Sequence, residues 1–154
     1  MIHVLFLCLG NICRSPMAEA VFKRMVEDAG LSGAISVDSA GTGSWHVGEI
    51  AHRGTRRVLS QHNITYEGRA RQIAEHDVQG SAYIVAMSQA NVDEFRRRFG
   101  DEYANLYRLM DFVPDTGVRD VPDPYYTGNF DYVYRLVEKG CRELLAFIRE
   151  RENL

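Results

Sequence analysis

The residue types most suited to chemistry lie near the start of the chain. Cys8 is followed six residues later by Arg14 and then by Ser15. A cysteine thiolate is a nucleophile, and the planar guanidinium of arginine binds two oxygens of a phosphate at once. Gly10 and Asn11, between them, are residue types that tolerate the left-handed backbone of a tight turn. The pattern therefore predicts a loop that holds a phosphate dianion beside a nucleophilic sulfur.

The elements on either side of this loop would direct it at a ligand. Ile2–Leu7 is short and mostly apolar, which is typical of a buried strand, and Ser15-Pro16 is typical of a helix N-cap followed by a first-turn proline. A turn from strand to helix points backbone N–H groups inward and adds the positive end of the helix dipole. The same field stabilises a thiolate, so Cys8 is expected to be nucleophilic. Without the arginine and the glycine, a cysteine at this position would be interpreted as a small core residue.

Spacing argues against other phosphate, nucleotide and metal sites. Cys8 and Cys13 supply only two zinc ligands, and no histidine near them has ligand spacing. The Walker phosphate loop is absent, and the glycines from Gly41 to Gly48 lack the spacing of the dinucleotide fingerprint. No metal and no other cofactor is therefore expected. Two cysteines on one short loop also predict that Cys13 traps an oxidised Cys8 as a disulfide.

The rest of the chain alternates between strand and helix patterns. This alternation predicts an α/β fold with a parallel sheet, whose ligands bind at the carboxyl ends of the strands. Met110–Asn129 is predicted to be a long loop rich in proline and aspartate, and such loops are often functional. Further strands are predicted at Ile35–Asp38, Tyr83–Met87 and Leu106–Met110, and helices at 15–29, Ala51–His62, Ser88–Phe99 and Phe130–Arg149. The core candidates of the last helix are Val133, Leu136, Val137, Leu144, Ala146, Phe147 and Ile148.

Length and composition limit the class of protein. The 154 residues are 45% hydrophobic and 25% charged, which is typical of one globular domain spanning 1–154. A formal charge of −3 argues weakly against a nucleic-acid partner. No apolar segment approaches the ~18 residues of a membrane span, and the apolar start lacks a basic secretory leader, so no membrane partner is expected. The three cysteines exclude a disulfide scaffold and favour a cytoplasmic location.

The segment Cys8–Glu19, C-L-G-N-I-C-R-S-P-M-A-E, closely resembles the phosphate-binding loop of the low-molecular-weight protein tyrosine phosphatase family. The resemblance covers the whole chain, because Val37–Thr42, His52–Gly54 and Ala70–Gln72 match further family segments. Val121–Tyr126, V-P-D-P-Y-Y, resembles the general-acid loop of the family. The resemblance implies a four-stranded parallel sheet with helices on both faces and the phosphate-binding loop after the first strand.

The resemblance also implies a reaction. Cys8 would be the nucleophile that forms a phosphocysteine intermediate, and Arg14 would bind the phosphoryl group. Asp123 would protonate the leaving phenol and then activate water. By itself Asp123 would be interpreted as a solvated turn residue, but Pro124 after it favours an extended backbone over the site. The expected partners are tyrosine-phosphorylated proteins or peptides, with inorganic phosphate as product.

Supporting and substrate-binding positions follow from the same match. Ser15 would hydrogen-bond the sulfur, while Asn11 and Ser39 would brace the loop. Many relatives carry a histidine just before the A-R-Q segment, whereas this chain has Tyr66-Glu67-Gly68-Arg69, so support for the site is expected to be perturbed there. His62 and His76 are interpreted as surface residues. The remaining substrate-binding positions are the loop residues Leu9, Gly10, Ile12 and Cys13 and the cleft walls Trp45, Tyr125 and Tyr126.

Three other functions fit parts of the pattern. Arsenate reductases share the fold and the loop but need further cysteines to resolve the thiol adduct, and here only Cys141 follows Cys13. A protein arginine phosphatase would have threonine where this chain has Ile12. A non-catalytic phosphate-binding module would be expected to have lost Cys8, Arg14 or Asp123. Cys8, Arg14 and Asp123 are all present, position 12 is isoleucine, and only one cysteine follows Cys13. The pattern therefore favours the tyrosine phosphatase.

Overall fold

Four parallel strands form the framework of the computed structural model, which describes residues 1–154. They run in the order β2-β1-β3-β4, so β1 lies inside the sheet with a neighbour on each side. β1 pairs with β2 along its whole length, which places the end of one strand, Cys8, opposite the end of the other, Gly41. The predicted parallel sheet is confirmed. The strands are β1 (Ile2–Cys8), β2 (Ile35–Gly41), β3 (Tyr83–Ala86) and β4 (Leu106–Arg108).

Six helices accompany the sheet, and two of them are not predicted by apolar periodicity. The α3 helix has six residues and α5 has four, which is too short for a repeating apolar pattern. The segment Met110–Asn129, which was predicted to be a loop, contains α5 and a 3₁₀ turn at Pro114–Thr116. Another 3₁₀ turn, Leu109–Phe112, overlaps its start. None of the helices has the length and apolar character of a membrane span. The helices are α1 (Arg14–Asp28), α2 (Arg53–Gln61), α3 (Glu75–Gly80), α4 (Gln89–Phe99), α5 (Pro124–Thr127) and α6 (Phe130–Glu152).

Alternate residues of β1 pack into two different cores, as the pleat of a strand requires. Phe6 and Cys8 belong to the larger core, which includes apolar residues of α1, α2 and α6. Leu5 and Leu7 face the smaller core, with Val78 of α3 and others from α4. The prediction of helices on both faces is confirmed. The same alternation points the side chain of Cys8 toward the face of the sheet that α1 covers.

The start of α1 differs from the prediction. The helix begins at Arg14, and Cys13 occupies the N-cap position without a side-chain capping bond. Ser15 lies in the first turn, where its hydroxyl contacts Asn11 and Cys8. The prediction of Ser15 as N-cap was wrong because its hydroxyl is used by the loop that precedes the helix.

The last helix, α6, carries its buried stripe slightly differently from the prediction. Most predicted core residues are buried, but Ala146 is exposed and Phe147 is only partly buried. Leu145, which was not predicted, is buried instead. The stripe follows the helical spacing from Gly140 and Cys141 to Leu144 and Leu145, so Ala146 points away from the sheet.

An ion pair between half-buried Arg71 and buried Asp77 fixes the segment between α2 and α3. Both guanidinium amino groups of Arg71 donate to Asp77, each at 2.9 Å, and one of them also donates to Asp38 at 2.8 Å. The Ala74 N–H donates to Asp77 at the start of α3. Burial alone would raise the pKa of Asp77, but the hydrogen bonds from Arg71 and Ala74 outweigh it and lower the pKa below its usual value.

Replacing this carboxylate is expected to destabilise the fold in a pH-dependent way. Asp77→Asn should lower the free energy of unfolding by roughly 1–3 kcal/mol at pH 7, the scale of hydrogen bonds to a charged group. Because the folded-state pKa is depressed, the carboxylate stabilises the fold above the unfolded-state value of about 3.9 and loses this effect as the pH falls through the folded pKa. Urea unfolding of both proteins from pH 7 to acid should therefore show a shrinking difference. A difference that does not change with pH would contradict the ionic origin.

Candidate active site

A pocket of about 290 Å³ opens at the carboxyl end of β1, where the loop leads into α1. It brings together the two segments that the sequence pointed to, the loop after β1 and the segment before α5. Asn11, Ser15 and Ser39 lie behind this surface and do not line it. His46 was not predicted and does line it. The lining residues are Cys8, Leu9, Gly10, Ile12, Cys13, Arg14, Trp45, His46, Asp123, Tyr125 and Tyr126.

The loop takes its shape from one left-handed residue. Asn11 has φ 57°, and its side-chain oxygen accepts the Arg71 N–H at 3.0 Å. Gly10 does not have positive φ, so its predicted role in the turn was wrong. A methyl group at Gly10 would lie 3.0 Å from Cδ2 of His46. A larger residue at this position would therefore crowd the imidazole and make it shift.

Directed hydrogen bonds reach the sulfur of Cys8. The Arg71 N–H can only donate, so the Asn11 oxygen faces it and the Asn11 amide nitrogen faces the hydroxyls. That nitrogen donates to Ser15 Oγ at 2.8 Å. The proton of Ser15 is then free for Cys8 Sγ, 2.9 Å away. This donor and the positive end of the α1 dipole both lie at the sulfur.

Arg14 connects the loop to the distant segment around Asp123. Its side chain is largely buried, and Nη1 donates to the Val121 carbonyl at 3.1 Å. Nη2 lies 3.4 Å from Asp123 Oδ2, across 109 residues of chain. Asp123 has an extended backbone (φ −83°, ψ 107°), as predicted from Pro124, and its Oδ1 accepts the Tyr125 N–H. A cation and a carboxyl group therefore border the same cavity.

Exposed aromatic side chains form the rim. Trp45 is 72% exposed and Tyr126 77%, so neither is a core residue. Tyr125 is 52% exposed and its ring lies 6.1 Å from that of His46 and 6.0 Å from that of His52. His46 could have been predicted to line the pocket, because it follows Trp45 in the segment Gly41–Gly48. Cys8 is buried at 2% exposure, so the rim surrounds a deep sulfur.

The three cysteines are all free thiols, with different surroundings. Burial, with smaller contributions from Cys8 and Asp123, raises the pKa of Cys13 to about 12. Burial in α6 also raises the pKa of Cys141. The disulfide expected after oxidation of Cys8 stays a prediction. No group of three or more histidine, cysteine, aspartate or glutamate side chains is placed to hold a metal ion.

The whole chain is similar to proteins of one family. The sequence profile described as low molecular weight phosphotyrosine protein phosphatase matches residues 3–154. The chain belongs to this family. YfkJ of Bacillus subtilis, a low molecular weight protein-tyrosine-phosphatase, is 47% identical over 156 aligned residues that span 100% of both chains. The crystal structure of YfkJ matches with a TM-score of 0.96 and 48% identity, over 98% of this chain and 96% of that one.

Other solved phosphatases share the fold at lower identity. A protein tyrosine phosphatase from Entamoeba histolytica matches with a TM-score of 0.92 and 34% identity over 100% of both chains. A Drosophila arginine phosphatase, DARP, matches with a TM-score of 0.87 and 30% identity, over 95% of this chain and 97% of that one. Because both kinds of phosphatase have this fold, the substrate must be argued from the residues that line the pocket.

Alkylation should distinguish the cysteines of this low-molecular-weight phosphatase. Iodoacetamide at pH 7 is expected to modify Cys8, which lines the pocket and receives a hydrogen bond. Cys13 and Cys141 should stay unmodified because burial raises the pKa of each. Mass spectrometry of the digested protein measures the labelled position. Equal labelling of Cys8 and Cys13 would contradict the assignment, and a urea-unfolded sample, labelled at all three, is the control.

Proposed function

We propose that this protein hydrolyses phosphotyrosine in proteins, and simple aryl phosphates, through a phosphocysteine intermediate. One observation carries the assignment of residues: Cys8, Arg14 and Asp123 border one pocket, although Asp123 lies 109 residues from Arg14. A nucleophile, an anion-binding fork and a proton donor are the three groups that this reaction needs. The family to which the chain belongs supports the same reaction.

In the first step, the phosphoryl group binds between Arg14 and the backbone N–H groups of the loop. The sulfur of Cys8 attacks phosphorus, the S–P bond forms and the bond from phosphorus to the phenol oxygen breaks. Asp123 gives its proton to that oxygen, because a phenol leaves more easily than a phenolate. Since the transition state of phosphoryl transfer is loose, positioning and charge stabilisation supply most of the catalysis.

In the second step, water hydrolyses the phosphocysteine. The Asp123 carboxylate accepts a proton from the attacking water, an O–P bond forms and the S–P bond breaks. Inorganic phosphate is released and the sulfur leaves as a thiolate. Ser15 donates a hydrogen bond to that sulfur, which makes the thiolate a better leaving group.

The pocket favours this substrate class over the alternatives. Ile12 lines the pocket with an apolar side chain and offers no hydroxyl to a guanidinium substrate. Arsenate reduction would need a second reactive thiol, but Cys141 is fully buried in α6, and its pKa is raised. A module that only binds phosphate would have no use for a proton donor at Asp123.

The substrates and location follow from the same chemistry. Tyrosine-phosphorylated proteins or peptides are the proposed partners, with no role for nucleic acid or membrane. Residues 1–154 act as one catalytic domain. The reaction requires Cys8 as a free thiolate, and reducing conditions such as those of the cytoplasm maintain it.

Cys8 and Arg14 should be indispensable for turnover. Cys8→Ser removes the thiolate, and Arg14→Lys keeps the charge but loses the two-point contact with phosphate. Each should lower kcat for para-nitrophenyl phosphate by at least ~10³, the scale of lost transition-state stabilisation. Arg97→Lys, on the exposed side of α4, is the matched control and should turn over normally. Near-normal turnover by Cys8→Ser would end the phosphocysteine mechanism.

Asp123 should matter most for poor leaving groups. Asp123→Asn cannot donate the proton, so the loss in kcat/KM should be large for phosphotyrosine and smaller for activated phenols. The parent profile of kcat/KM against pH should be bell-shaped, since the first step needs a thiolate at Cys8 and a carboxylic acid at Asp123. Asp115→Asn, in the same region before α5, is the control. An equal loss for every leaving group would remove Asp123 from this role.

The aromatic rim should select the substrate. A phenyl ring can pack against Trp45 and Tyr125, with about 1 kcal/mol for each good aromatic contact. A phosphoserine stem is short and should not bring its phosphorus to the deep sulfur of Cys8. We expect kcat/KM for a phosphotyrosine peptide to greatly exceed that for its phosphoserine counterpart. Trp45→Ala and Tyr125→Ala should narrow the ratio by weakening the phosphotyrosine substrate, and comparable rates on both peptides in the parent would refute this selection.

A further inference from the structure

A chain of polar side chains leads from the sulfur of Cys8 away from the pocket. Beyond Ser15 it continues through Asn11, whose amide nitrogen also donates to Ser39 Oγ at 3.0 Å. Ser39 Oγ in turn donates to Glu19 Oε1 at 2.5 Å. The chain thus reaches a carboxyl group on α1 that the proposed reaction does not use.

A second hydroxyl group donates a hydrogen bond to the same oxygen of Glu19. Tyr66 OH donates to Glu19 Oε1 at 2.9 Å, so this oxygen accepts from Ser39 and Tyr66 at once. Tyr66 lies between α2 and α3, in a segment without regular structure. The phenol therefore joins this segment to α1 and to the end of β2.

The carboxyl group fixes the direction of the hydrogen bond from Ser39, while the Arg71 N–H fixes which end of the Asn11 amide faces the hydroxyls. Because the Ser39 oxygen accepts from Asn11, its own proton must go to Glu19. The Asn11 amide then gives one proton to Ser39 and the other to Ser15. Without a fixed acceptor at Glu19, the hydroxyl of Ser39 would be free to rotate, and the Asn11 amide would lose one of the contacts that hold it in place.

Glu19 is held by hydroxyl groups and not by a paired cation. Burial raises the pKa of Glu19, and the hydrogen bonds from Ser39 and Tyr66 lower it in part. A carboxyl group in such surroundings costs free energy unless donors satisfy it. Burial also raises the pKa of the Tyr66 phenol, which therefore stays a protonated donor.

The backbone beside Tyr66 is shaped to admit the phenol. A methyl group at Gly68 would overlap the Tyr66 hydroxyl and lie 2.6 Å from the ring carbon that bears it. Glycine at this position lets the ring turn back toward Glu19. The contact between the Tyr66 phenol and Glu19 of α1 thus depends on Gly68 as well as on Tyr66.

From this geometry we propose that Tyr66 and Glu19 are positioning residues for the phosphatase reaction. The pair fixes Ser39, which together with the Arg71 N–H holds the amide of Asn11, and this amide orients Ser15 toward the sulfur. Neither residue touches the substrate. The inference deepens the proposed function and rests on it, but it also concerns the reactivity of Cys8 itself.

The test removes one oxygen atom from Tyr66. Tyr66→Phe keeps the ring and should lower kcat for para-nitrophenyl phosphate about three- to tenfold, the scale of one hydrogen bond. KM should change less than kcat, because the lining of the pocket is intact. The rate of Cys8 alkylation by iodoacetamide at pH 7, measured by mass spectrometry, should fall by a similar factor.

Tyr83→Phe is the matched control. Tyr83 OH also donates to a carboxylate, Glu152, at 2.9 Å, but from the opposite end of the sheet. It should change thermal stability without changing kcat or the alkylation of Cys8. If Tyr66→Phe behaves like this control, the pair is only structural and the proposal fails.

Two further variants keep the test decisive. Gly68→Ala retains the phenol but should push its hydroxyl away from Glu19, so it should reproduce the loss of kcat and of Cys8 reactivity even if Tyr66→Phe folds poorly. Glu19→Gln should also lower kcat and the rate of Cys8 alkylation. Adding Tyr66→Phe to Glu19→Gln should lower them little further, since the two residues act together. Additive losses would overturn the coupling.

The proposed function and the role of Tyr66 can be tested separately. If Cys8 of the parent protein is alkylated but the protein does not hydrolyse aryl phosphate, the proposed function is refuted. The alkylation rates of the variants would still decide the role of Tyr66.

Discussion

The structure is built around the need to hold two negative charges side by side. A thiolate and a phosphate dianion repel each other, and they can share a small loop only where fixed positive charge and hydrogen-bond donors surround both. The loop after β1 meets this need with the first turn of α1, the Arg14 guanidinium and the Ser15 hydroxyl. The sheet, the helices and the polar side chains behind the loop serve to keep these groups in place.

The parallel sheet supplies the rigidity that this arrangement needs. Because β1 lies inside the sheet, its last residue, Cys8, pairs with Gly41 of β2, and the residue before it, Leu7, pairs with Ala86 of β3. The alternating pleat then directs the sulfur toward the core on which α1 packs. A loop on an edge strand would have no such support on its second side. The sulfur of Cys8 is thus placed by a strand that has a neighbour on each side.

Polar contacts across long stretches of chain close the site. Arg14 contacts Val121 and Asp123, and the Arg71 backbone contacts Asn11. These bonds join the end of β1 to segments that follow α2 and β4. Buried polar groups of this kind lower stability unless each has its partner. The Asn11 side chain finds partners at both ends, in the Arg71 N–H and in the hydroxyls of Ser15 and Ser39, and these bonds hold its left-handed turn.

The sequence by itself determined the chemistry and most of the framework. The spacing of Cys8 and Arg14, between an apolar strand and a proline-started helix, predicted the loop and its place at the end of β1. The four strands and the long helices were also predictable, because apolar periodicity is a local property of the chain. The short helices α3 and α5 were not predictable, because they have too few residues for an apolar period. The start of α5 depends on Pro124, and the start of α3 depends on the hydrogen bond that Asp77 accepts from the Ala74 N–H.

Only the tertiary structure decided which distant side chains meet. The local pattern around Ser15 favours a helix N-cap, and only the resemblance to the phosphatase family implied that its hydroxyl contacts the sulfur of Cys8. Nothing in the sequence near Tyr66 shows that its phenol reaches Glu19, 47 residues earlier in the chain. These contacts follow from the packing of α1 against the sheet and from the return of the segment after α2. Local patterns specify elements, but a hydrogen bond between remote residues exists only once the core has fixed the distance between them.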